Sequence, residues 1–166
     1  MANIKQAIDI RYTEPSDAEY LKKWLQEPEA IRWFPMASET EIDDAVMRWI
    51  SFSKFKCSLT AEYNGTPCAI STLYLQPYKK LAHQCEFGII VGGGLRGKGV
   101  GTTILNNLMH LAKERFNIEL LHLQVYEGNP AMALYKRFGF REYGRQTHWI
   151  KESGEYLGRI FMERFL

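Results

Sequence analysis

Hydrophobic and polar residues recur along the chain with two different periods, and each change of period marks a new structural element. Strand-type patterns occupy residues 7–13, 57–63, 66–75, 83–91, 120–126 and 140–145, and 148–165 forms a final hairpin that turns near Gly154. Helical spacing occupies about 15–26, 38–50, 100–116 and 129–138. The predicted order is β-α-α-β-β-β-α-β-α-β-β. It describes an α/β (α+β) fold with a mixed, mostly antiparallel sheet of six to seven strands and about four flanking helices.

Short-range signals fix several of these boundaries. Ser38 and Glu41 have the spacing of a capping box, which predicts a helix start. Asn64-Gly65 lies between two alternating runs and predicts a tight hairpin. The Asn129-Pro130 pair predicts the start of a later helix, because proline suits the first helical turn.

Length and composition indicate a single domain over residues 1–166, with 46% hydrophobic residues to form its core. No apolar run approaches the roughly 18 residues of a membrane span, so we expect no membrane association. The odd number of cysteines and the scattered histidines have no metal-ligand spacing. We therefore expect reduced thiols, no metal and a cytoplasmic location; these residues are Cys57, Cys68, Cys85, His83, His110, His122 and His148.

Charge is unevenly distributed along the chain. The net charge of +2 is too small to indicate a nucleic-acid partner. Residues 1–50 hold ten acidic and six basic residues, whereas the remainder carries a net charge of +6. A basic region suits an anionic cofactor and an acidic region suits a cationic substrate, although solvated surface explains the pattern equally well.

Residues 92–101, GGGLRGKGVG, contain six glycines and precede a predicted helix. Glycine permits positive φ and lets main-chain N–H groups approach an anion closely. The start of a helix adds unpaired donors and a partial positive charge. The segment therefore predicts a phosphate-binding turn.

Three phosphate-binding motifs overlap in this turn. Gly92, Gly94 and Gly97 fit the dinucleotide fingerprint, but Glu127 follows 30 residues after Gly97, beyond the spacing of about 20 expected for a ribose-binding acid. The run from Gly92 also fits the start of a Walker A motif, but Gly99 lacks the hydroxyl that binds magnesium. Both nucleotide interpretations are therefore disfavoured.

The third motif, Arg96-x-x-Gly99-x-Gly101, resembles the R/Q-x-x-G-x-G/A signature of the GNAT superfamily of acyl-CoA N-acyltransferases. About 30 residues later, residues 125–142 resemble the second GNAT segment, with Asn129, Met132-Ala133, Tyr135 and Gly139-Phe140. The element order is similar to the GNAT fold over nearly the whole chain. Within the superfamily, the chain looks most like the branch of ribosomal-protein N-terminal and spermidine N-acetyltransferases.

The resemblance implies an N-acetyltransferase that moves the acetyl group of acetyl-CoA to a primary amine, either a protein N-terminus or a small amine such as a polyamine. A strand and the glycine turn would hold the cofactor, together with Asn129, which also suits a helix cap. The implied cofactor-binding residues are Ile89, Ile90, Val91, Arg96, Gly97, Lys98, Gly99, Val100, Gly101, Thr102, Asn129 and Tyr135. The acceptor wall would come from the two early helices and the final hairpin.

By the same resemblance Tyr135 is the expected general acid, since a phenol can protonate a thiolate of similar basicity. Periodicity alone places Tyr135 in the core. Glu86 is the expected base, with an orienting role as its alternative, and Tyr126 and Glu127 are weaker candidates. A non-catalytic acyl-CoA-binding module would need neither Tyr135 nor Glu86 and stays open. A homodimer through a sheet edge or the final hairpin is also possible.

Overall fold

A computed structural model describes residues 7–166, and all the strands in this part of the chain join one sheet. Their order is β1-β2-β3-β4-β5-β7-β6, and every neighbouring pair is antiparallel except β4 and β5, which are parallel. The mostly antiparallel sheet of six to seven strands predicted from the sequence is confirmed, with seven strands. The strands are β1 (Ile8–Tyr12), β2 (Ser58–Tyr63), β3 (Thr66–Tyr74), β4 (Gln84–Val91), β5 (Leu120–Tyr126), β6 (Arg141–Glu152) and β7 (Glu155–Phe165).

Five α-helices flank the sheet in residues 7–166, one more than the sequence predicted. The additional helix is a single turn, because Pro28 ends the preceding helix and at once occupies the first position of the next. The helices are α1 (Ala18–Leu25), α2 (Pro28–Ile31), α3 (Glu39–Ser51), α4 (Val100–Phe116) and α5 (Met132–Arg137).

The strongest local signals produce the structures expected of them. Ser38 Oγ accepts a hydrogen bond from Glu41 N–H at 3.3 Å, and Ser38 N–H donates to the Glu41 carboxylate at 3.0 Å, completing the capping box of α3. In the β2–β3 hairpin, Asn64 and Gly65 have φ values of 51° and 75°, the positive values that a type I′ turn requires.

Each face of the sheet is covered by different helices. Helices α1 to α3 cover one face, where Leu21, Trp24 and Val46 pack against Ile70 and Ile90 of the strands. Helices α4 and α5 cover the other face over the larger core cluster, which includes buried side chains such as Leu105, Leu108, Leu121, Phe140 and Met162. The end of β4 thus lies between two helical layers.

Two boundaries differ from the sequence prediction. The expected break after residue 145 is a bulge inside β6, where pairing with β7 shifts between Gln146 and Ile150. Helix α5 begins at Met132 rather than at Asn129, because Asn129 Oδ1 accepts from Ala131 N–H at 2.9 Å and forms a turn ahead of the helix. Within residues 7–166, none of the helices has the length and hydropathy needed to cross a membrane.

Candidate active site

The sheet opens between its two parallel strands. Strands β4 and β5 pair only at their beginnings, and the last partners in register are Glu86 and His122. Strand β4 then continues to Val91 and β5 to Tyr126 without pairing with each other. The two strands therefore diverge around a gap whose closed end lies at Glu86.

Hydrogen bonds at the two ends of β4 show which main-chain groups face this gap. His83 C=O accepts from Leu120 N–H at 3.2 Å, so odd-numbered residues face β5. Gly92 N–H donates to Cys68 C=O at 2.9 Å, so even-numbered residues face β3. Both observations agree with the alternation of main-chain groups along a strand.

The same alternation separates the three β4 residues expected to bind the cofactor. The main-chain groups of Ile89 and Val91 face the gap, where β5 no longer pairs with them. Those of Ile90 face β3, and its side chain is buried under α1 to α3. The register thus leaves the main-chain groups of Ile89 and the N–H of Val91 available for strand-like pairing with a ligand, whereas the main chain of Ile90 faces β3.

The glycine turn adjoins the open end of the gap. Gly97 and Gly99 have φ values of 73° and 89°, and Gly99 is the N-cap of α4. The first N–H groups of α4, at Val100, Gly101 and Thr102, have no acceptor within the helix and point away from its start. A Cβ atom on Gly101 would lie 3.9 Å from the Val91 side chain, so these donors lie beside the end of β4.

The two basic side chains of the turn make internal contacts. Arg96 Nη2 donates to Glu27 Oε2 at 2.7 Å, and Arg96 Nε donates to Val91 C=O at 2.9 Å. Gly93 N–H also donates to the Glu27 carboxylate, at 3.1 Å. Lys98 Nζ donates to Gly94 C=O at 2.9 Å. Arg96 therefore ties the turn to the α1–α2 connection, a contact that motif reasoning did not anticipate.

Glu86 lies half-buried at the fork of the two strands, on the face covered by α1 to α3. Burial raises the pKa of its carboxyl group, while a hydrogen bond from Gln124 Nε2 at 3.2 Å and the charge of Arg159 partly oppose this rise. A Cβ atom on the next residue of this face, Gly88, would lie 2.7 Å from Tyr74 Oη and 2.8 Å from the Trp49 ring. These two aromatic residues thus wall the space beside Glu86.

Strand β5 contributes polar groups that were not singled out as a set from the sequence. His122, Gln124 and Tyr126 alternate with apolar core residues and therefore share the face of Glu86. The buried His122 Nε2 and Tyr126 Oη have no hydrogen-bond partner among residues 7–166. Burial lowers the pKa of His122 and, with a contribution from Glu152, raises that of Tyr126 to about 12. The alternation in LLHLQVY was the signal available for finding them.

Two further residues predicted from the sequence, Tyr135 and Glu127, already make contacts within the protein. Tyr135 is 7% exposed and packs edge-on against Phe87 and Phe140, with ring centroids 6.0 and 6.1 Å away. Burial raises the pKa of its phenol, and its hydroxyl bonds to no group in the described part of the chain. The Glu127 carboxylate pairs with Arg145 at 2.6 Å on the protein surface.

The acidic residues at the start of α3 contact nearby groups on the protein surface. Glu39 and Asp43 lie 3.3 and 2.7 Å from Lys22 Nζ, and Glu41 caps the helix. Solvated surface therefore accounts for this acidic segment. In residues 7–166, no group of three or more His, Cys, Asp and Glu residues is arranged to hold a metal ion.

The protein is thus of the mixed α/β class. Its sheet opens beside a glycine turn, and the helix that starts there presents N–H groups suited to an anion. Residues 14–140 match the family described as the acetyltransferase (GNAT) family. The chain belongs to this family, as its motifs indicated.

Known relatives agree with this assignment. The chain is 25% identical over 107 residues to an L-amino acid N-acetyltransferase of Escherichia coli; the match covers 64% of this chain and 66% of that relative, just under two thirds. A solved ribosomal-protein-alanine N-acetyltransferase from Brucella melitensis has a TM-score of 0.79 and 25% identity, over 95% of this chain and 99% of that one. A putative acetyltransferase from Salmonella typhimurium, solved with acetyl-CoA, shares the fold with a TM-score of 0.77 and 18% identity, over 96% of this chain and 94% of that one.

Proposed function

We propose that the protein transfers the acetyl group of acetyl-CoA to a primary amine. The observation that carries this proposal is the gap between β4 and β5, which joins the glycine turn at one end and Glu86 at the other. Family membership supports the reaction class. The gap supports the division of the site into a cofactor side and an acceptor side.

The residues present fit acetyl-CoA. The outward main-chain groups of Ile89 and the N–H of Val91 are suited to pair with the amide groups of a pantetheine arm, as a neighbouring strand would. The N–H groups of Val100, Gly101 and Thr102 are suited to a pyrophosphate, because helix N-termini stabilise anions. Arg96 and Lys98 support this turn from their contacts with Glu27 and Gly94. When bound, acetyl-CoA supplies an activated acetyl group as a thioester.

Glu86 is the proposed general base. Its carboxylate takes a proton from the acceptor ammonium, directly or through water, and the free amine forms a C–N bond to the acetyl carbon as the C–S bond breaks. The nitrogen then releases a second proton to water as it becomes an amide, which balances the proton that the thiolate gains. A carboxyl group whose pKa is raised by burial accepts that proton more readily than an ordinary one. The products are the N-acetylated acceptor and the thiol of coenzyme A.

Tyr135 is the proposed general acid for the departing thiolate. Its neighbour Leu134 would lie 3.2 Å from a Cβ on Gly101, so this part of α5 adjoins the glycine turn. A phenol with a raised pKa stays protonated at neutral pH and remains able to donate. Asn129 acts on the cofactor side through the turn that it stabilises ahead of α5.

The acceptor classes under this proposal are a protein N-terminus and a small amine such as a polyamine. The relatives are named for amino-acid and protein acceptors, which both present a primary amine. A homodimer would use one of the strands with a single neighbour, β1 or β6.

The test combines binding with turnover. Thermal shifts with acetyl-CoA, ATP–Mg²⁺ and NAD should show stabilisation by acetyl-CoA alone, and a panel of amines should release free thiol. Stabilisation only by ATP–Mg²⁺ would overturn the proposal. Stabilisation by acetyl-CoA with no thiol release from any amine would instead indicate a non-catalytic acyl-CoA-binding module.

A further inference from the structure

Arg159 lies on the acceptor side of the site. Strand β7 pairs with β5 so that Arg159 is opposite Tyr126 and Phe161 is opposite Gln124. All four side chains therefore lie on the face of the sheet that carries Glu86. A cation and the candidate base are thus close neighbours on the same surface.

The guanidinium group of Arg159 is held in a fixed orientation. Its Nε donates to Gln146 Oε1 at 3.0 Å, and its Nη1 donates to Gln124 Oε1. The Trp149 ring lies 3.5 Å from the guanidinium carbon, and the Phe161 ring lies 4.7 Å away. Stacking and two hydrogen bonds together restrict an otherwise flexible side chain.

The final hairpin is shaped to make these contacts. The bulge in β6 falls between Gln146 and Ile150, and it includes Trp149. Opposite the bulge, a Cβ atom on Gly158 would lie 2.9 Å from Glu127 Oε2 and 3.0 Å from the Gln146 carbonyl oxygen, so glycine favours the close approach of the two strands here. The bulge, at the position where the sequence pattern predicts a strand break, therefore places the Trp149 indole over Arg159.

Arg159 has no counter-ion of its own. Within residues 7–166 no carboxylate lies within 4.0 Å of it, whereas Arg96 pairs with Glu27 at 2.7 Å and Arg145 pairs with Glu127 at 2.6 Å. Its partners are neutral amide oxygens, and its Nη2 makes no hydrogen bond to a described residue. A guanidinium that is held in one orientation and keeps a free donor is a ready site for a carboxylate.

Gln124 keeps Arg159 and Glu86 apart. Its amide oxygen accepts from Arg159, and its amide nitrogen donates to Glu86 at 3.2 Å. One amide group thus bridges the two charges and prevents their direct pairing. The site presents a positive and a negative group side by side, which is the complement of a molecule carrying both an ammonium and a carboxylate.

We infer that the acceptor is a free amino acid, with its ammonium group directed to Glu86 and its carboxylate to Arg159. This inference rests on the proposed acetyl transfer and narrows its acceptor; the product is an N-acetyl amino acid and the thiol of coenzyme A. A polyamine carries only positive groups and would be repelled by Arg159. The N-terminus of a peptide has no carboxylate adjacent to its amine.

Matched substrates test the inference. Free L-amino acids, their C-terminal amides and a polyamine are compared by thiol release, at a pH on the plateau of the rate profile so that changes in Glu86 ionisation do not contribute. For the best side chain, we expect the free acid to exceed its amide about 10- to 100-fold in kcat/KM, the usual effect of one charge-assisted pair. Arg159→Gln should abolish this preference by lowering kcat/KM for the acid alone, and Arg159→Lys should retain part of it.

Arg145→Gln is the matched control, because Arg145 lies on the same hairpin but already has carboxylate partners. It should leave the preference unchanged. Equal turnover of acid, amide and polyamine by the wild-type protein would overturn the inference while leaving acetyl transfer intact. Equal losses for acid and amide in both Arg159 variants would also overturn it, by indicating a structural role. Absence of thiol release from every acceptor would remove the proposed function itself.

Discussion

Glu27→Ala and Arg96→Ala, made singly and together, test whether Arg96 acts on the cofactor directly or holds the glycine turn in place. The Glu27 carboxylate accepts from Arg96 at 2.7 Å and from Gly93 N–H at 3.1 Å. Arg96 also donates to Val91 C=O, the last residue of β4. If this cluster positions the turn, removing either partner should have nearly the same effect as removing both.

The structure sets the expected size of that effect. A hydrogen bond to a charged group contributes about 1.5–3 kcal/mol, and a fully exposed ion pair about 0–1 kcal/mol. The side chains of Arg96 and Glu27 are 31% and 30% exposed, between these extremes. We therefore expect each single variant to lose about 1–2 kcal/mol of unfolding free energy, with a coupling energy of similar size in the double-mutant cycle.

Urea unfolding measures the stability terms, and calorimetric titration with acetyl-CoA at two salt concentrations measures binding. A displaced turn should weaken binding up to about tenfold in Glu27→Ala and Arg96→Ala alike, with no further loss in the double variant. Direct contact of Arg96 with pyrophosphate predicts otherwise. In that case Glu27→Ala would leave affinity unchanged or improve it, and only Arg96→Ala would reduce its salt dependence, which would refute the positioning role.

Three further predictions concern other parts of the site. Glu86→Gln should lower kcat/KM at least about 10²-fold and remove the acidic limb of the pH–rate profile. The urea midpoint of Glu86→Gln should match or exceed that of the wild type at neutral pH. Burial raises the folded-state pKa of Glu86, so the wild type loses unfolding free energy as the pH rises from about 4.3, the pKa in the unfolded chain, through the raised pKa of the folded state. Gly99 and Gly154 have φ values of 89° and 88°, so Gly99→Ala and its control Gly154→Ala should each lower the free energy of unfolding in urea by about 1 kcal/mol. Only Gly99→Ala should weaken acetyl-CoA binding measured by calorimetry. Tyr135→Phe should lower kcat about 10²-fold with unchanged acetyl-CoA affinity, and normal turnover would leave Tyr135 as a core residue only.

Structural features that are determined by residues close together in the sequence could be predicted from it. The capping box at Ser38 and the Asn64-Gly65 turn act over a few residues, and α4 has the bounds that its periodicity predicted. The face shared by Glu86 and Ile90 also followed from strand alternation. In each case the determining interactions lie within one element, so the local pattern contains the necessary information.

Contacts between distant segments were not predictable in this way. Glu27 and Arg96 are 69 residues apart, and Gln124 and Arg159 are 35 apart. Motif reasoning assigned Arg96 to the cofactor because the motif carries no information about Glu27. Arg159 was not singled out, since its role depends on the β6 bulge that brings Trp149 onto it. One sequence alone does not specify such pairings before the sheet order is known.

The open gap in the sheet is sustained by the pairing on its two outer sides. Strand β4 pairs with β3 over its whole second half, and β5 pairs with β7 from Leu120 to Tyr126. Neither strand therefore needs the other beyond Glu86 to remain in place. The cost of the gap falls on the main-chain groups of Ile89 and Val91, which have no strand partner on this side.

One of those groups is satisfied by the chain itself, since Arg96 Nε donates to Val91 C=O. Arg96 thereby links the unpaired edge of β4 to the glycine turn and, through Glu27, to the layer of helices above the acceptor face. The remaining N–H groups of Ile89 and Val91 stay available at the same edge. The interaction that stabilises the open strand thus also sets the position of the turn relative to it, and a ligand that completes the pairing would bind to an arrangement already in place.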